Sequence, residues 1–241
     1  SIQRCVKGLK SEIQRQSGEI FIPLAFAPGS AAQFDWGDVI VIVAGVPMTL
    51  NLGIVELCYS RRFYGRVYPS QKQELFLDIH RRAFEHFGGV PRRMIYDNLK
   101  TAVKRIIKGN HPNLQERFIQ FSSHYLFEPE FCNPAKGNEK GRVENLIEFA
   151  RQNFFSPILR VSSLEELNDR FLSFCIGTAM RRIHPNFPDK TRNDAFEEER
   201  ESFLDLPGHG FDCCRVTQAL VGTSSTVHFE MNQYSVPGQY L

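Results

Sequence analysis

This sequence of 241 residues is short of several things at once, and each shortage removes a class of answer. No apolar run approaches the ~20 residues needed to cross a bilayer. The first residues lack the basic-then-apolar pattern of a signal peptide. A membrane partner is therefore not expected. The six cysteines (Cys5, Cys58, Cys132, Cys175, Cys213, Cys214) include no Cys-x-x-Cys pair, and adjacent Cys213 and Cys214 make a poor framework for a compact disulfide. A reduced, cytoplasmic chain is the reading. The seven histidines are equally scattered, which speaks against a structural zinc site. Internal repeats and low-complexity tracts are missing. So is an initiating methionine, and Val236 to Leu241 stop within what reads as a continuing strand or turn. We expect a piece of something longer.

What is present is ordinary in bulk and uneven in detail. Hydrophobic residues make up 42% and charged ones 23%, as in a globular protein with enough length for one large or two small domains. The net charge of +2 hides a split. Residues 1–160 carry 22 Lys and Arg against 15 Asp and Glu, whereas residues 161–241 carry 7 against 12. A basic half suits a polyanion-processing site, with ordinary surface charge as the alternative.

Along the chain, Ser1 to Gln14 reads as a short basic helix, and Glu19 to Gly29 as an extended linker punctuated by Pro23 and Pro28. Three strands then follow as an antiparallel meander: Gln33 to Val43, a turn at Gly45-Val46-Pro47, Thr49 to Leu57, and Arg61 to Tyr68. Pro69-Ser70 introduces a helix, with Ser70 and Gln73 in capping-box spacing and Gly88-Gly89 as its stop. Met94-Ile95-Tyr96 reads as a brief buried strand. Leu99 to Ile107 and Leu114 to Tyr125 read as helices, and Leu126 to Cys132 as a fifth strand. A helix from about Lys140 to Phe155 comes next. Another spans Ser163 to Arg182, with Ser163 and Glu166 in capping-box spacing. The order β-β-β-α-β-α-α-β-α-α implies a mixed sheet covered on both faces. From Val216 onward, short β segments (Thr226 to Phe229, Tyr234 to Val236) begin a separate small β unit.

Three acids stand out. Asp35, in Gln33-Phe34-Asp35-Trp36-Gly37, sits in a strand, where an ionised carboxylate is costly unless something positive meets it. No Lys or Arg lies nearby in sequence, so a divalent cation shared with other carboxylates is a candidate, and a strand-end Asp exposed at a sheet rim is the alternative. Asp97 ends the short strand, where a side chain can leave an open sheet toward a ligand; Asp97-Asn98 is equally a turn or helix-cap pair. Glu144 sits at the margin of the buried stripe formed by Val143, Leu146, Ile147, Ala150 and Phe154. Glu148 points further toward water, and Glu139 is explained by the helix dipole. Two Asp and one Glu can hold two hard divalent cations, an arrangement suited to phosphoryl transfer. Basic residues surround them. Arg92, Arg93, Lys100, Lys104, Arg105 and Lys108 flank Asp97, and Lys136, Lys140 and Arg142 flank Glu144, all able to contact phosphates.

The strand order, Gln-Phe-Asp-Trp-Gly at 33–37, Tyr-Asp-Asn at 96–98 and Lys-Gly-Arg-Val-Glu-Asn at 140–145 together resemble the integrase core of DDE transposases. More narrowly, the chain resembles IstA-type insertion-sequence transposases, bacterial cytoplasmic proteins that work with an AAA+ ATPase helper. Asn232 to Pro237 also matches that style. The resemblance implies an RNase H-like five-stranded mixed sheet with helices on both faces, followed by the start of a small C-terminal β-barrel. It implies Asp35, Asp97 and Glu144 as metal-binding acids for Mg²⁺ or Mn²⁺, two ions per site. Their spacings are 62 and 47 residues, the second longer than in retroviral integrases, with the extra length at Ile107 to Leu114. The implied divisions are a helical DNA-binding end plus linker (1–28), the catalytic core (29–185), and a helical connector with a truncated barrel (186–241). The implied activity is metal-dependent cleavage at transposon ends and strand transfer, on double-stranded DNA, as a homo-oligomer. A nuclease or resolvase that only hydrolyses and a catalytically inactive DNA-binding regulator are the rival readings.

Overall fold

The computed structural model describes residues 26–96, 112–131, 137–215, 219–229 and 231–240, with the backbone alone for 112–115, 137–144 and 240. The expected N-terminal helix and the basic helix from Leu99 to Ile107 lie outside the described residues. The sheet is built on a long hairpin. Strand β1 (Ala32–Val43) runs antiparallel to β2 (Val46–Leu57), in register from Ala32↔Leu57 to Val43↔Val46. Ala44 (φ 49°) and Gly45 (φ 84°) form the whole turn. Both have positive φ, as in the two-residue turns whose twist matches that of the flanking strands.

The turn is thus tighter than Gly45-Val46-Pro47, and the second strand starts before Thr49. Proline can sit in this strand for a specific reason. Its partner Ile42 sends its N–H the other way, to Leu159 O at 2.9 Å, so the Ile42↔Pro47 pair needs no ladder bond. On the other side of β2, strand β3 (Phe63–Tyr68) pairs antiparallel only with Asn51 to Glu56. Pro47 therefore occupies an edge, where its missing N–H costs nothing.

Strand β4 (Arg93–Tyr96) lies parallel to β1, with Ala32↔Met94, Gln33↔Ile95 and Phe34↔Tyr96 in register. Strand β5 (Glu128–Phe131) is parallel to β4, giving the order β3-β2-β1-β4-β5. Beyond the five expected strands, the two-residue β6 (Arg160–Val161) pairs parallel with the far end of β1. Two residues carry no periodicity from which to foresee a strand.

Alternation along β1 sends its side chains to two cores. Ala32, Phe34 and Trp36 pack with Phe76, Ile79, Ala83 and Phe84 of helix α1 (Gln73–Phe87) and with Phe118 and Phe121 of helix α2 (Pro112–Tyr125). Val39 and Val41 face the other way. They pack with Leu146, Ile147 and Ala150 of helix α3 (Gly137–Asn153) and with Leu167, Phe171 and Cys175 of helix α4 (Leu164–Arg181). The sheet is covered on both faces, as expected.

The helix ends follow the local chemistry with two exceptions. Gly88 closes α1 in the left-handed region (φ 73°), but the N-cap is Lys72 without a side-chain cap, not Ser70. Helix α3 begins at Gly137, ahead of the expected Lys140, and takes Gly137 and Gly141 into its first turns. Ser163 caps α4 by accepting from Glu166 N–H, as its spacing predicts. Helix α5 (Arg192–Glu199) opens on a full capping box between Thr191 and Asp194. From there a connector returns over α1 and α2. Val90 and Leu204 exchange backbone bonds, Phe211 packs edge-on to Phe121 at 5.2 Å, and Arg117 donates to the carbonyls of Asp212 and Cys214. The hairpin of β7 (Thr226–Phe229) and β8 (Asn232–Ser235) follows.

Candidate active site

Asp35 is the fourth residue of β1 and is half-buried. Its neighbours Phe34 and Trp36 point into the aromatic core on α1, so alternation turns Asp35 to the opposite face, with Gly37, Val39 and Val41. Trp36 N–H donates to Asp35 Oδ1 at 2.8 Å, which fixes the carboxylate's orientation through the backbone. Phe34 and Trp36 meet edge to face at 5.3 Å, and Trp36 meets Tyr68 likewise at 5.9 Å. The strand that carries Asp35 is thereby held from beneath.

Helix α3 lies on the Asp35 face. A Cβ on Gly37 would overlap Ile147 Cγ2, so this glycine permits the helix to approach the strand. Arg151 Nε donates to Asp38 O at 2.9 Å and fastens the same crossing. Arg151 Nη2 also stands 3.3 Å from the same Cβ position, so Ile147 and Arg151, one turn apart on α3, both meet β1 at Gly37 and Asp38. Residue 144 precedes Ile147 by three, a little under one turn. Glu148 is exposed and engages Arg151 at 3.5 Å and Gln152 at 2.9 Å, which accounts for it on the solvent side.

Asp97 follows Tyr96 directly, and Tyr96 is paired with Phe34, the residue before Asp35. Asp97 itself lies outside the described residues, as do Lys100, Lys104, Arg105, Lys108 and Lys136. Lys140 and Arg142 fall in α3, within its backbone-only stretch. Of the two remaining basic candidates, Arg92 is exposed, whereas Arg93 is bound to Glu130 of β5 at 2.7 Å. Among the described residues, no three His, Cys, Asp or Glu converge to hold a metal.

Two features near Asp35 carry no sequence signal. The first is His80, fully buried in α1, whose ring centroid lies 4.6 Å from that of Phe34 and 5.6 Å from that of Tyr96. Its Nδ1 is 2.7 Å from Phe76 O, which can only accept, so Nδ1 carries the proton. Nε2 then accepts from the Tyr96 hydroxyl at 3.2 Å. One imidazole thus supports the residues that immediately precede both Asp35 and Asp97. The second is Glu56, buried at 1% exposure and paired in register with Gln33, two residues from Asp35 on the same face. Arg61 neutralises it at 2.9 Å, which makes it a structural acid.

Residues 27–136 match the integrase core domain family. The chain carries an integrase core domain. Its strand order, with an antiparallel β1-β2-β3 meander and parallel β1, β4 and β5, is that of the RNase H-like fold. A transposase of Aminobacter aminovorans is 40% identical over 228 residues, covering 94% of this chain and 44% of the relative. The transposase for insertion sequences IS1326/IS1353 of Pseudomonas aeruginosa is 40% identical over 220 residues, covering 91% and 43%. The transposase for insertion sequence element IS21 of Pseudomonas aeruginosa is 32% identical over 212 residues, covering 87% and 53%. The chain thus spans about half the length of the curated relatives it matches. Among solved structures, the HTLV-2 integrase catalytic core in complex with magnesium aligns with a TM-score of 0.48 and 15% identity, over 72% of this chain and 99% of that one. Within the integrase core, the matched range includes Asp35 and Asp97 and ends before Glu144.

Proposed function

We propose that this chain is the catalytic core of a bacterial insertion-sequence transposase, cutting DNA at the element's ends and joining the freed 3′-hydroxyl to target DNA. The observation that carries the reading is the placement of Asp35. It is held by a backbone N–H on the face covered by α3, beside a helix on which residue 144 lies less than one turn before the Gly37 contact. The 40% identity to transposases over 228 residues supports the same reading. We assign the catalytic core to residues 29–185, a DNA-binding helix and linker to 1–28, and a connector with the start of a small β-barrel to 186–241.

Asp35, Asp97 and Glu144 offer oxygen donors only, the set that Mg²⁺ or Mn²⁺ prefers. A pair of such ions, when bound there, supplies an activated nucleophile and relieves charge at the leaving oxygen. The chain's own share is positional. Trp36 N–H donates to one Asp35 oxygen, and β4, whose last residue Tyr96 is followed directly by Asp97 in sequence, lies beside β1. Glu144 completes the set from α3. Arg92, Lys100, Lys104, Arg105, Lys108, Lys136, Lys140 and Arg142 bind phosphates; Arg93, tied to Glu130, contributes less. As partners we propose double-stranded DNA, further copies of the chain on that DNA, and an AAA+ ATPase helper, the last resting on the IstA-type resemblance alone.

The test uses labelled, pre-cleaved element ends with Mn²⁺. Asp35→Asn, Asp97→Asn and Glu144→Gln should each abolish joining while leaving DNA binding nearly intact. Hydrolysis without joining by the wild type would favour the nuclease reading. A thermal melt adds a readout independent of activity. At ten times Kd the ion should stabilise the wild type by about 1.4 kcal/mol, and Asp35→Asn should lose most of that rise. An equal rise in both proteins would place the ion elsewhere.

A further inference from the structure

Helix α4 ends on Arg181, with Arg182 as its C-cap, both exposed and neither in an ion pair among the described residues. Each guanidinium is nevertheless held in place. That of Arg182 lies 4.3 Å from the ring centroid of Phe149, on α3. That of Arg181 folds back over Gly177, with both Nη atoms 3.2 Å from where a Cβ would stand. A glycine inside a helix costs about 1 kcal/mol relative to alanine, and here it clears a floor for the guanidinium one turn later. Cations favour a helix C-terminus through the dipole. That preference does not explain the positions of these heads, because Arg181 reaches back along the helix and Arg182 crosses to its neighbour.

The two arginines share a sheet face with the proposed site. Phe171 and Cys175 of α4 and Ile147 of α3 lie in one core with Val39 and Val41, on the side to which Asp35 turns. Phe149 follows residue 144 by five along α3. Two acids of this face bond other groups: Glu56 meets Arg61, and Glu148 meets Arg151 and Gln152. Close by, burial lowers the pKa of Arg192, Glu56 opposes that, and Arg182 and Arg61 add smaller downward pulls, which places both arginines within electrostatic reach of Arg192. Guanidinium groups are planar forks that meet phosphate oxygens bidentately, and a stacked, pre-positioned one loses little freedom on doing so.

We propose that Arg181 and Arg182, with Phe149 and Gly177 as their supports, form a phosphate-binding site for the DNA strand that runs past the Asp35 face. It extends the basic track from the start of α3 to the end of α4. The inference rests on the transposase-core reading, and the experiment separates the two. Binding of the 241-residue chain to a labelled duplex is measured by fluorescence anisotropy between about 50 and 200 mM salt. Arg181→Gln/Arg182→Gln should weaken binding similarly across sequences and lower the slope of log K against log salt by roughly two, about one per lost phosphate contact. Arg182→Lys, which keeps the charge and loses the flat stack, should fall between. Arg170→Gln/Arg200→Gln removes the same formal charge from two exposed, ion-paired positions and should change the slope far less. An unchanged slope in the first pair, or an equal drop in the second, overturns the site. Joining by the wild type and its loss in Asp35→Asn report on the transposase reading separately.

Discussion

His80 is a neutral imidazole in a place where a charged one would be costly. Burial lowers its pKa to about 4, from an ordinary 6.5, against the weaker opposing pull of the Phe76 carbonyl. Between those two values the unfolded chain binds a proton that the native one refuses, so stability falls as pH drops from 6.5 toward 4. The full difference corresponds to about 3 kcal/mol. His86 is also lowered to about 4, by burial first and Arg62 second, and adds to the same acid loss. We expect His80→Gln to flatten the decline of unfolding free energy over this window by up to one proton, measured by urea titration at several pH values. A slope equal to that of the wild type would mean that His80 does not stay neutral in the native state. The sequence hides this residue because its partner, Tyr96, stands sixteen residues away on another element. Asp35 was legible for the opposite reason. A carboxylate beside an apolar strand run conflicts with its local setting, and such a conflict is visible without coordinates.

At the scale of elements, the crossing of α3 over β1 decides where residue 144 stands. Gly37 is its contact point, and any side chain there must displace Ile147. Gly37→Ala should therefore destabilise the fold by about 1–3 kcal/mol, as overpacked cores do. It should depress joining more than DNA binding, because the helix moves relative to Asp35. Ile147→Ala removes the overlapping Cγ2, so in that background Gly37→Ala should cost clearly less, a coupling that a double-mutant cycle with thermal melts measures. Additive costs would show that the two residues do not set the crossing. The main elements themselves were readable from their periods, since Ala32, Phe34 and Trp36 of β1 enter one core and Val39 and Val41 the other, and the long helices show an apolar stripe. The turns and starts were less so. Pro47 looks like a turn residue until its register places it on an edge, and Gly137 and Gly141 look like breakers until α3 includes them. At Pro47, tertiary pairing outweighed local preference.

For the whole molecule, one buried acid joins segments that are distant in the chain. Glu199, at the end of α5 and 0% exposed, accepts from Gly29 N–H at 3.2 Å and from Ser60 N–H at 3.0 Å, across separations of 170 and 139 residues. Gly29 in turn accepts from Arg92 N–H at 3.0 Å, so the entry to β1, the β2–β3 turn, the start of β4 and the chain leaving the core meet at one point. Nothing in Phe196-Glu197-Glu198-Glu199 distinguishes this glutamate from its two exposed neighbours, because the donors lie so far off in sequence. The carboxylate's pKa is raised by burial, against the opposing bonds from the Ser60 side chain and from the Ser60 and Gly29 N–H groups, so its charge is desolvated and these donors are what justify it. Glu199→Ala leaves two buried donors unsatisfied and should cost about 3 kcal/mol. Glu199→Gln keeps one carbonyl acceptor but turns an NH₂ toward the other donor, and should cost roughly half as much. In a chain of this size each kcal/mol moves the melting midpoint by roughly 2–4 °C, so the order wild type, Gln, Ala is resolvable by calorimetry. A Gln variant that melts above the wild type would mean that burying the charge costs more than its two bonds return, and that Glu199 does not tie these segments together.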